Sequence, residues 1–429
     1  MTKKLIIISV DALGADDLKQ TPSELHMFNF FKEHGTHIRQ VEAIYPSLTY
    51  PSHVTLVTGV YPKKHGVVNN TLLQPERKSP DWYWYDRFIK RPTLYSCAEK
   101  EGLKTAAFLW PVTAKSTITY NIAEIFPNRI WTNQAFVSLS ASSPFFLLAM
   151  NAKYGYLRDG IKQPQLDDFV TACAVDTIKH KQPDLTLIHL VDMDSMRHAH
   201  GVNSREAKEA LLRQNKRIGD IVNATREAGT YDETTFVVLG DHYQIDVTNM
   251  IRLNVLFASK GWLDVNPDGT VADNWQVYAK SCDGSCYIYC RQQTTVEPSE
   301  ILDALKLMIG IEAIYTSDEV SEMGATENCT FMLEAERGFY FVDQAIGELV
   351  SRVQTEHIGE PDLYQAVHGF SPLKEDYSTT MLVMGPDIKK NHHIETSRLV
   401  DAAPTFAEIL GLESFPHDTD GVCIADMFV

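Results

Sequence analysis

Short runs of β-branched and aliphatic residues recur along the chain, and several stop abruptly at acids. Residues 5–10 (Leu-Ile-Ile-Ile-Ser-Val) stop at Asp11, and residues 185–191 (Leu-Thr-Leu-Ile-His-Leu-Val) stop at Asp192 and Asp194. Residues 235–239 (Thr-Phe-Val-Val-Leu) pass through Gly240 to Asp241 and His242. Near-continuous apolar runs mark strands buried on both faces. Helical patterns lie between them, as at 204–228, which is rich in Ala, Glu, Lys, Arg and Leu. This alternation predicts a doubly wound α/β fold with a mostly parallel central sheet flanked by helices. Residues 379–384 read as a further strand, and 399–411 as a helix closed by Gly411. Residues 256–350 break the rhythm with Asn-Pro-Asp-Gly turns, a cysteine cluster and a polar helix near 298–310. They are expected to form a cap subdomain inserted into a core made of 1–255 and 351–429.

Composition narrows the class. Hydrophobic residues make up 44% and charged residues 22% of 429 positions, which fits a globular chain and excludes a disordered or fibrous one. The net charge of -17, with no basic run, argues against a polymeric nucleic-acid partner. No stretch reaches the ~18 apolar residues of a spanning helix, so no membrane partner is expected. The first apolar run is short and ends at Asp11 without a small-residue cleavage site, so it reads as a strand and not as a signal peptide. A cytoplasmic location is the expectation. Seven scattered cysteines do not suggest a disulfide framework. The spacing of Cys282, Cys286 and Cys290 does not match a zinc knuckle, and Cys-Tyr-Ile-Tyr-Cys alternates like a strand.

Strand ends that deliver acids to one sheet edge carry the functional signal, because ligands gather there in such sheets. One strand-end Asp is usually a cap or turn residue, but three, with His close behind two of them, are not explained that way. In the segment from Tyr45 to Gly59, Pro51 fits the first turn of a helix and Gly59 its end. Thr49 then lies at or just before the helix N-terminus, where free N–H groups and the dipole favour an anion. Taken singly, Thr49 would be an N-cap; as a nucleophile it needs its pKa lowered, which a metal would do. Asp11, Asp194, His198, Asp241, His242 and His368 form the candidate ligand set. Carboxylates and imidazoles without thiolate suit zinc, with manganese or iron as alternatives. Two such ions about 4 Å apart make the clamp used for in-line displacement at phosphorus.

These residues carry a resemblance. The run Tyr45 to Gly66, with Thr49-x-Pro51-x-His53 and Tyr61-Pro62…His65-Gly66, resembles the nucleotide pyrophosphatase/phosphodiesterase family of the alkaline phosphatase superfamily. Asn70, Trp110-Pro111, Asp194…His198…Gly201, Gly240-Asp241-His242, His368-Gly369, Gly385-Pro386, Ala403-Pro404-Thr405, Leu410-Gly411 and Asp420-Gly421 follow in the family's order. The resemblance implies one zinc held by Asp194, His198 and His368, and another held by Asp11, Asp241 and His242 and bridged by Thr49. It implies a phospho-threonine intermediate on Thr49. One zinc would ionise Thr49, and the other would stabilise the leaving oxygen and then activate water. Asn70 would donate to a phosphoryl oxygen; Asn69 is the alternative if the spacing slips by one. Asp192 and His200 flank the ligands and are candidates to orient imidazoles. His65 reads as structural, and His53 stays open between site and core.

The expected activity is hydrolysis of a small-molecule phosphodiester or pyrophosphate, of nucleotide type. The stretch Thr49-Tyr50-Pro51-Ser52-His53 lacks the oxidisable nucleophile and the Arg of sulfatases. With no Arg near Thr49, a monoester dianion is a poorer fit. Trp110 would line the pocket and stack a base. Lys115 raises the alternative of a phosphonate substrate, as in phosphonoacetate hydrolase, which resembles this family. A phosphotransferase on the same scaffold is a further alternative. Tyr243 stands where the family usually has Gly, which puts the edge of the site in question.

Overall fold

The computed structural model describes residues 3–129 and 133–429. Eight strands form the central sheet: β1 (Lys4–Val10), β2 (Thr36–Glu42), β3 (Thr105–Phe108), β4 (Tyr120–Ile122), β5 (Leu185–Leu190), β6 (Thr234–Leu239), β7 (Thr379–Met384) and β8 (His392–Arg398). Their order is β8-β2-β7-β6-β1-β5-β3-β4. Only β7 runs antiparallel to its neighbours, β6 and β2, so the sheet is mostly parallel as the apolar runs predict.

The central strand shows why both faces are covered. Side chains alternate across a pleat. Ile6, Ile8 and Val10 of β1 join one apolar layer, and Leu5 and Ile7 join the other. Among the helices are α1 (Thr49–Thr58), α2 (Gln134–Ala141), α3 (Pro144–Tyr154), α4 (Asp192–His200) and α5 (Arg205–Ala228). Ile218, Ile221 and Val222 of α5 cover the first face. Leu56 and Val57 of α1, with Phe406 and Ile409 of the helix Ala402–Leu410, cover the second.

Strands β2 and β8 carry no such apolar signal in the sequence. Their residues, Thr-His-Ile-Arg-Gln-Val-Glu and His-His-Ile-Glu-Thr-Ser-Arg, are more than half polar. They are the last two strands at one side of the sheet, where side chains meet solvent.

A four-stranded antiparallel sheet takes in Ile311–Thr316, Phe331–Ala335, Ser285–Cys290 and Val277–Cys282 in that order. The cysteine run is thus part of a hairpin, and its thiols are free. The helix expected near 298–310 spans Pro298–Leu305. Ile245–Ile251 pairs with Gly338–Phe341 and with Val350–Arg352. One apolar cluster joins this strand to the hairpin through Val247, Ile251, Val277 and Ile288.

Candidate active site

Three strands of the central sheet end side by side and deliver the acids. Asp11 follows β1, Asp194 lies in the first turn of α4 after β5, and Asp241-His242 follow β6. The backbone after β1 is left-handed at Ala12, with φ 64°. Such backbone costs energy at a non-glycine residue and persists when neighbours fix it. Here the Ala12 N–H donates to Asp241 Oδ1 at 3.2 Å, and the buried Arg197 guanidinium donates to the Ala12 carbonyl and to Asp17. At Gly240 a side chain is excluded, since a Cβ would lie 1.9 Å from the Leu13 carbonyl oxygen.

Helix α1 begins at Thr49, with Leu48 at its N-cap. Leucine has no side-chain oxygen to cap with, so the Thr49 and Tyr50 N–H groups are left for other partners. The N-cap reading of Thr49 is therefore set aside. Its hydroxyl instead lies 3.0 Å from His242 Nε2. Asn70 accepts from the Tyr50 N–H at 2.9 Å through Oδ1, which leaves its NH₂ group to donate. Asn69 is committed elsewhere: its NH₂ donates to the Ser281 carbonyl and to Cys282 Sγ, and its Oδ1 accepts from Thr71.

Two sets of ligand atoms form, each gathered within 4.8 Å: Asp194, His198 and His368, and Asp11, Asp241 and His242. The His198 Nδ1–H donates to the Ala366 carbonyl at 2.7 Å, which turns Nε2 toward Asp194, 3.3 Å away. A backbone acceptor on one ring nitrogen is how ligating histidines are oriented. The rings of His368 and His242 lie 4.3 Å apart and join the two sets.

The residues fit divalent ions. Among the described residues, Asp11 Oδ1 and Asp241 Oδ2 are buried and have no hydrogen-bond partner. Buried acceptors without donors are costly unless a cation faces them. Burial pushes the Asp241 carboxyl up to about 7. Burial raises Asp11 as well, with Asp194 and Asp241 adding repulsion. At His198 burial acts downward, but the Asp194 carboxylate outweighs it and lifts that imidazole to about 9. Burial lowers His368 to about 3 and holds His242 well below its ordinary value, so both are neutral, as ligands must be.

Several functional neighbours lie outside the sequence reading. His189, the histidine inside the second apolar run, is buried in β5 and places Nε2 3.1 Å from Asp11 Oδ2. Its Nδ1 faces the Leu109 carbonyl at 3.1 Å and Glu124 at 3.7 Å. Gln244 donates to Asp194. Asp283, in the turn of the hairpin, brings a carboxylate 3.5 Å from His368 Nδ1. Gly369 lets that turn approach, since a Cβ there would meet the Cys282 carbonyl oxygen at 1.7 Å. A polar position in an apolar strand is the signal that marks His189; no local pattern marks Asp283.

Other expectations are corrected. Trp110 is fully buried in the core and packs edge-on against His53, with ring centroids 4.7 Å apart, so it cannot stack a base. Its place after a short strand suggests a pocket wall, but the indole turns inward. Lys115 is exposed, with its ammonium 5.7 Å from the centroid of the Tyr85 ring, and is not drawn into the ligand cluster. Asp192 turns away from the ligands to Arg213 and Arg217, at 2.6 and 2.8 Å, and His200 is exposed. His53 is buried and donates from Nδ1 to the Thr49 carbonyl at 2.8 Å. His65 is buried against Thr55 and Val67, a structural place. Tyr243 does not rim the site. It packs over Gly14, and the Arg197 guanidinium lies 4.8 Å from its ring centroid.

Comparisons with known proteins point one way. The sequence profile described as type I phosphodiesterase / nucleotide pyrophosphatase matches residues 5–363. Human ectonucleotide pyrophosphatase/phosphodiesterase family member 1 is 24% identical over 254 residues, 56% of this chain and 23% of that protein. Rat family member 3 is 26% identical over 59% of this chain and 26% of its own length. The chain thus spans about a quarter of the length of the curated relatives it matches. Human ectonucleotide pyrophosphatase/phosphodiesterase 5 superposes with a TM-score of 0.69 at 20% identity, covering 99% of both chains. An inactive variant of the murine protein, in complex with AMP, gives a TM-score of 0.69 at 18% identity and 100% coverage of both. At these identities the structures establish the fold.

Proposed function

The chain belongs to the type I phosphodiesterase / nucleotide pyrophosphatase family, and from that premise we propose that it is a two-zinc hydrolase of phosphodiester or pyrophosphate bonds in nucleotide-type substrates. One observation carries the reading: the Thr49 hydroxyl, at the open start of α1, lies 3.0 Å from His242 within a buried cluster of carboxylates and imidazoles.

Asp194, His198 and His368 would hold one ion, and Asp11, Asp241 and His242 the other, with Thr49 beside the second. Ions bound there supply Lewis acidity and lower the pKa of a nearby hydroxyl. The Thr49 oxygen attacks phosphorus in line and displaces the leaving alcohol or phosphate, giving a Thr49 phosphoester. Water then cleaves that ester and restores the hydroxyl. The Asn70 NH₂ and the Thr49 N–H donate to the phosphoryl oxygens, where negative charge builds in the transition state. His53 braces the Thr49 carbonyl from one turn along α1, which steadies the start of the helix that carries the hydroxyl.

A monoanionic diester suits this site better than a phosphate dianion. Arg197 is spent on Ala12 and Asp17 and is not available to a phosphoryl group. The AMP complex of the murine relative supports a nucleotide-type substrate. The test compares bis-p-nitrophenyl phosphate with p-nitrophenyl phosphate on zinc-loaded protein, with Thr49→Ala as the blank. Faster diester turnover that vanishes in the variant supports the proposal. Inert diesters with zinc bound at two per chain would overturn the substrate assignment.

A further inference from the structure

Arg197 lies on α4 between Asp194 and His198 and is only 1% exposed, although it carries a charge. A buried guanidinium is costly unless its charge and its N–H groups are matched. Here they are matched on several sides. Nε donates to the Val202 carbonyl at 3.3 Å. One terminal nitrogen donates to the Ala12 carbonyl, and the other to Asp17 Oδ1 at 2.5 Å. Asp17 is held in turn by the Gly14 N–H, which donates to its Oδ2 at 2.8 Å. The buried Tyr243 ring covers the guanidinium at 4.8 Å in a cation–π contact.

The places of these partners matter more than their number. Ala12 directly follows Asp11, and Tyr243 directly follows His242. A side chain on the helix of Asp194 and His198 therefore grips the chain beside ligands of the other set. Ala12 carries the grip further. Its carbonyl accepts from Arg197, while its N–H donates to Asp241 Oδ1 at 3.2 Å. Its backbone is left-handed, with φ 64°, a conformation that an alanine keeps only where neighbours over-determine it. The carboxylates themselves work against this arrangement, since Asp194 and Asp241 both repel Asp11. A hold from outside the ligand atoms offsets that repulsion.

We propose that Arg197 is a positioning residue of the site. It clamps the backbone after Asp11 to α4, and so sets the pocket formed by Asp11, Asp241 and His242 and its distance from the Asp194 set. The inference rests on the two-ion reading given above. A planar fork is needed for this task, because its donors diverge toward three acceptors on separate segments. A lysine ammonium presents its donors from one atom and cannot reach Ala12, Asp17 and Val202 together.

The test is chelator competition for zinc on the full chain, with steady-state kinetics on bis-p-nitrophenyl phosphate alongside. In Arg197→Lys the zinc held by Asp11, Asp241 and His242 should weaken by about 10–100-fold, as when a ligand's supporting partner is lost. Turnover, kcat, should fall about 10²-fold with KM little changed, because Thr49 and the ions are misplaced relative to one another. Asp241→Asn leaves the Asp194 set alone to hold zinc, and adding Arg197→Lys there should not move its zinc constant. Asp17→Asn loosens the same guanidinium from outside both ligand sets. It should shift the same zinc and kcat by about fivefold, the difference between a charge-assisted and a neutral hydrogen bond, and it carries the test if Arg197→Lys does not fold. Asp192→Asn breaks a buried ion pair of the same helix and shows what a structural role alone does: a lower melting temperature with both zinc constants and kcat unchanged. Arg197→Lys and Asp17→Asn chains that keep both zinc constants, or lose both zincs equally, would overturn the inference and leave the two-zinc reading standing. A wild-type chain that binds fewer than two zincs would overturn both. The zinc constants are read without turnover, so a wrong substrate assignment leaves the test in place.

Discussion

The Thr49 hydroxyl and His242 Nε2 lie 3.0 Å apart, although 193 residues separate them in the chain. Two unrelated devices meet at that contact. A helix starts at Thr49, with Pro51 in its first turn and an extended Leu48 before it. His242 reaches the same point because β6 is followed directly by Gly240, where a side chain would strike Leu13. The proposed nucleophile is thus set by a helix start and a strand end and not by a free loop.

The division of ligands into two sets predicts separable metal losses. Asp241→Asn and His368→Ala should each reduce bound zinc from two ions per chain to one, read by elemental analysis after dialysis. Asp192→Asn, in the same helix as two ligands but turned toward Arg213 and Arg217, should leave zinc at two. It should instead lower stability by about 3 kcal/mol, because Arg217 would lose a buried partner. Zinc lost equally from all three variants would contradict the division.

Zinc affinity should rise with pH from about 6 to about 9. In the metal-free chain Asp241 titrates at about 7 and His198 at about 9, so protons compete for both ligands below those values. Chelator competition reads the slope directly, and a flat profile would contradict the cluster's electrostatics. The stability of the metal-free chain carries its own sign at Asp241. Between its ordinary value and about 7, folded Asp241 holds a proton that the unfolded chain lacks. Its contribution is therefore present at low pH and lost as pH rises through about 7.

Asn70 and Asn69 should separate chemistry from structure. Asn70→Ala removes a proposed donor to the transition state and should cut kcat/KM by about 10²–10³, with a small change in melting temperature. Asn69→Ala breaks the link to Ser281 and should act mainly on stability. The reverse pattern, in steady-state kinetics and thermal melts, would show that the family spacing is shifted by one here.

Legibility follows burial. Strands β1, β5 and β6, buried on both faces, announce themselves as apolar runs, and the acids at their ends stand out as candidate ligands from the sequence alone. Strands β2 and β8 mix polar residues throughout and give no such signal. Asp283 escapes because its position depends on a hairpin folding back from far along the chain. Trp110 misleads for a different reason: a residue after a strand end can turn outward or inward, and only the packing against His53 decides. Trp110→Ala should therefore cost about 3–5 kcal/mol in denaturant unfolding, as for a buried indole. A raised KM with unchanged stability would restore it to the pocket.

The most direct test is to trap the phosphoester. A nucleotide-type diester mixed with the zinc-loaded chain and quenched in acid should leave a phosphoryl adduct on the peptide that carries Thr49, seen by mass spectrometry. The account predicts that adduct in the wild type, with turnover lost by more than about 10⁴-fold in Thr49→Ala. Diester hydrolysis that proceeds without an adduct, and persists in Thr49→Ala, would contradict it.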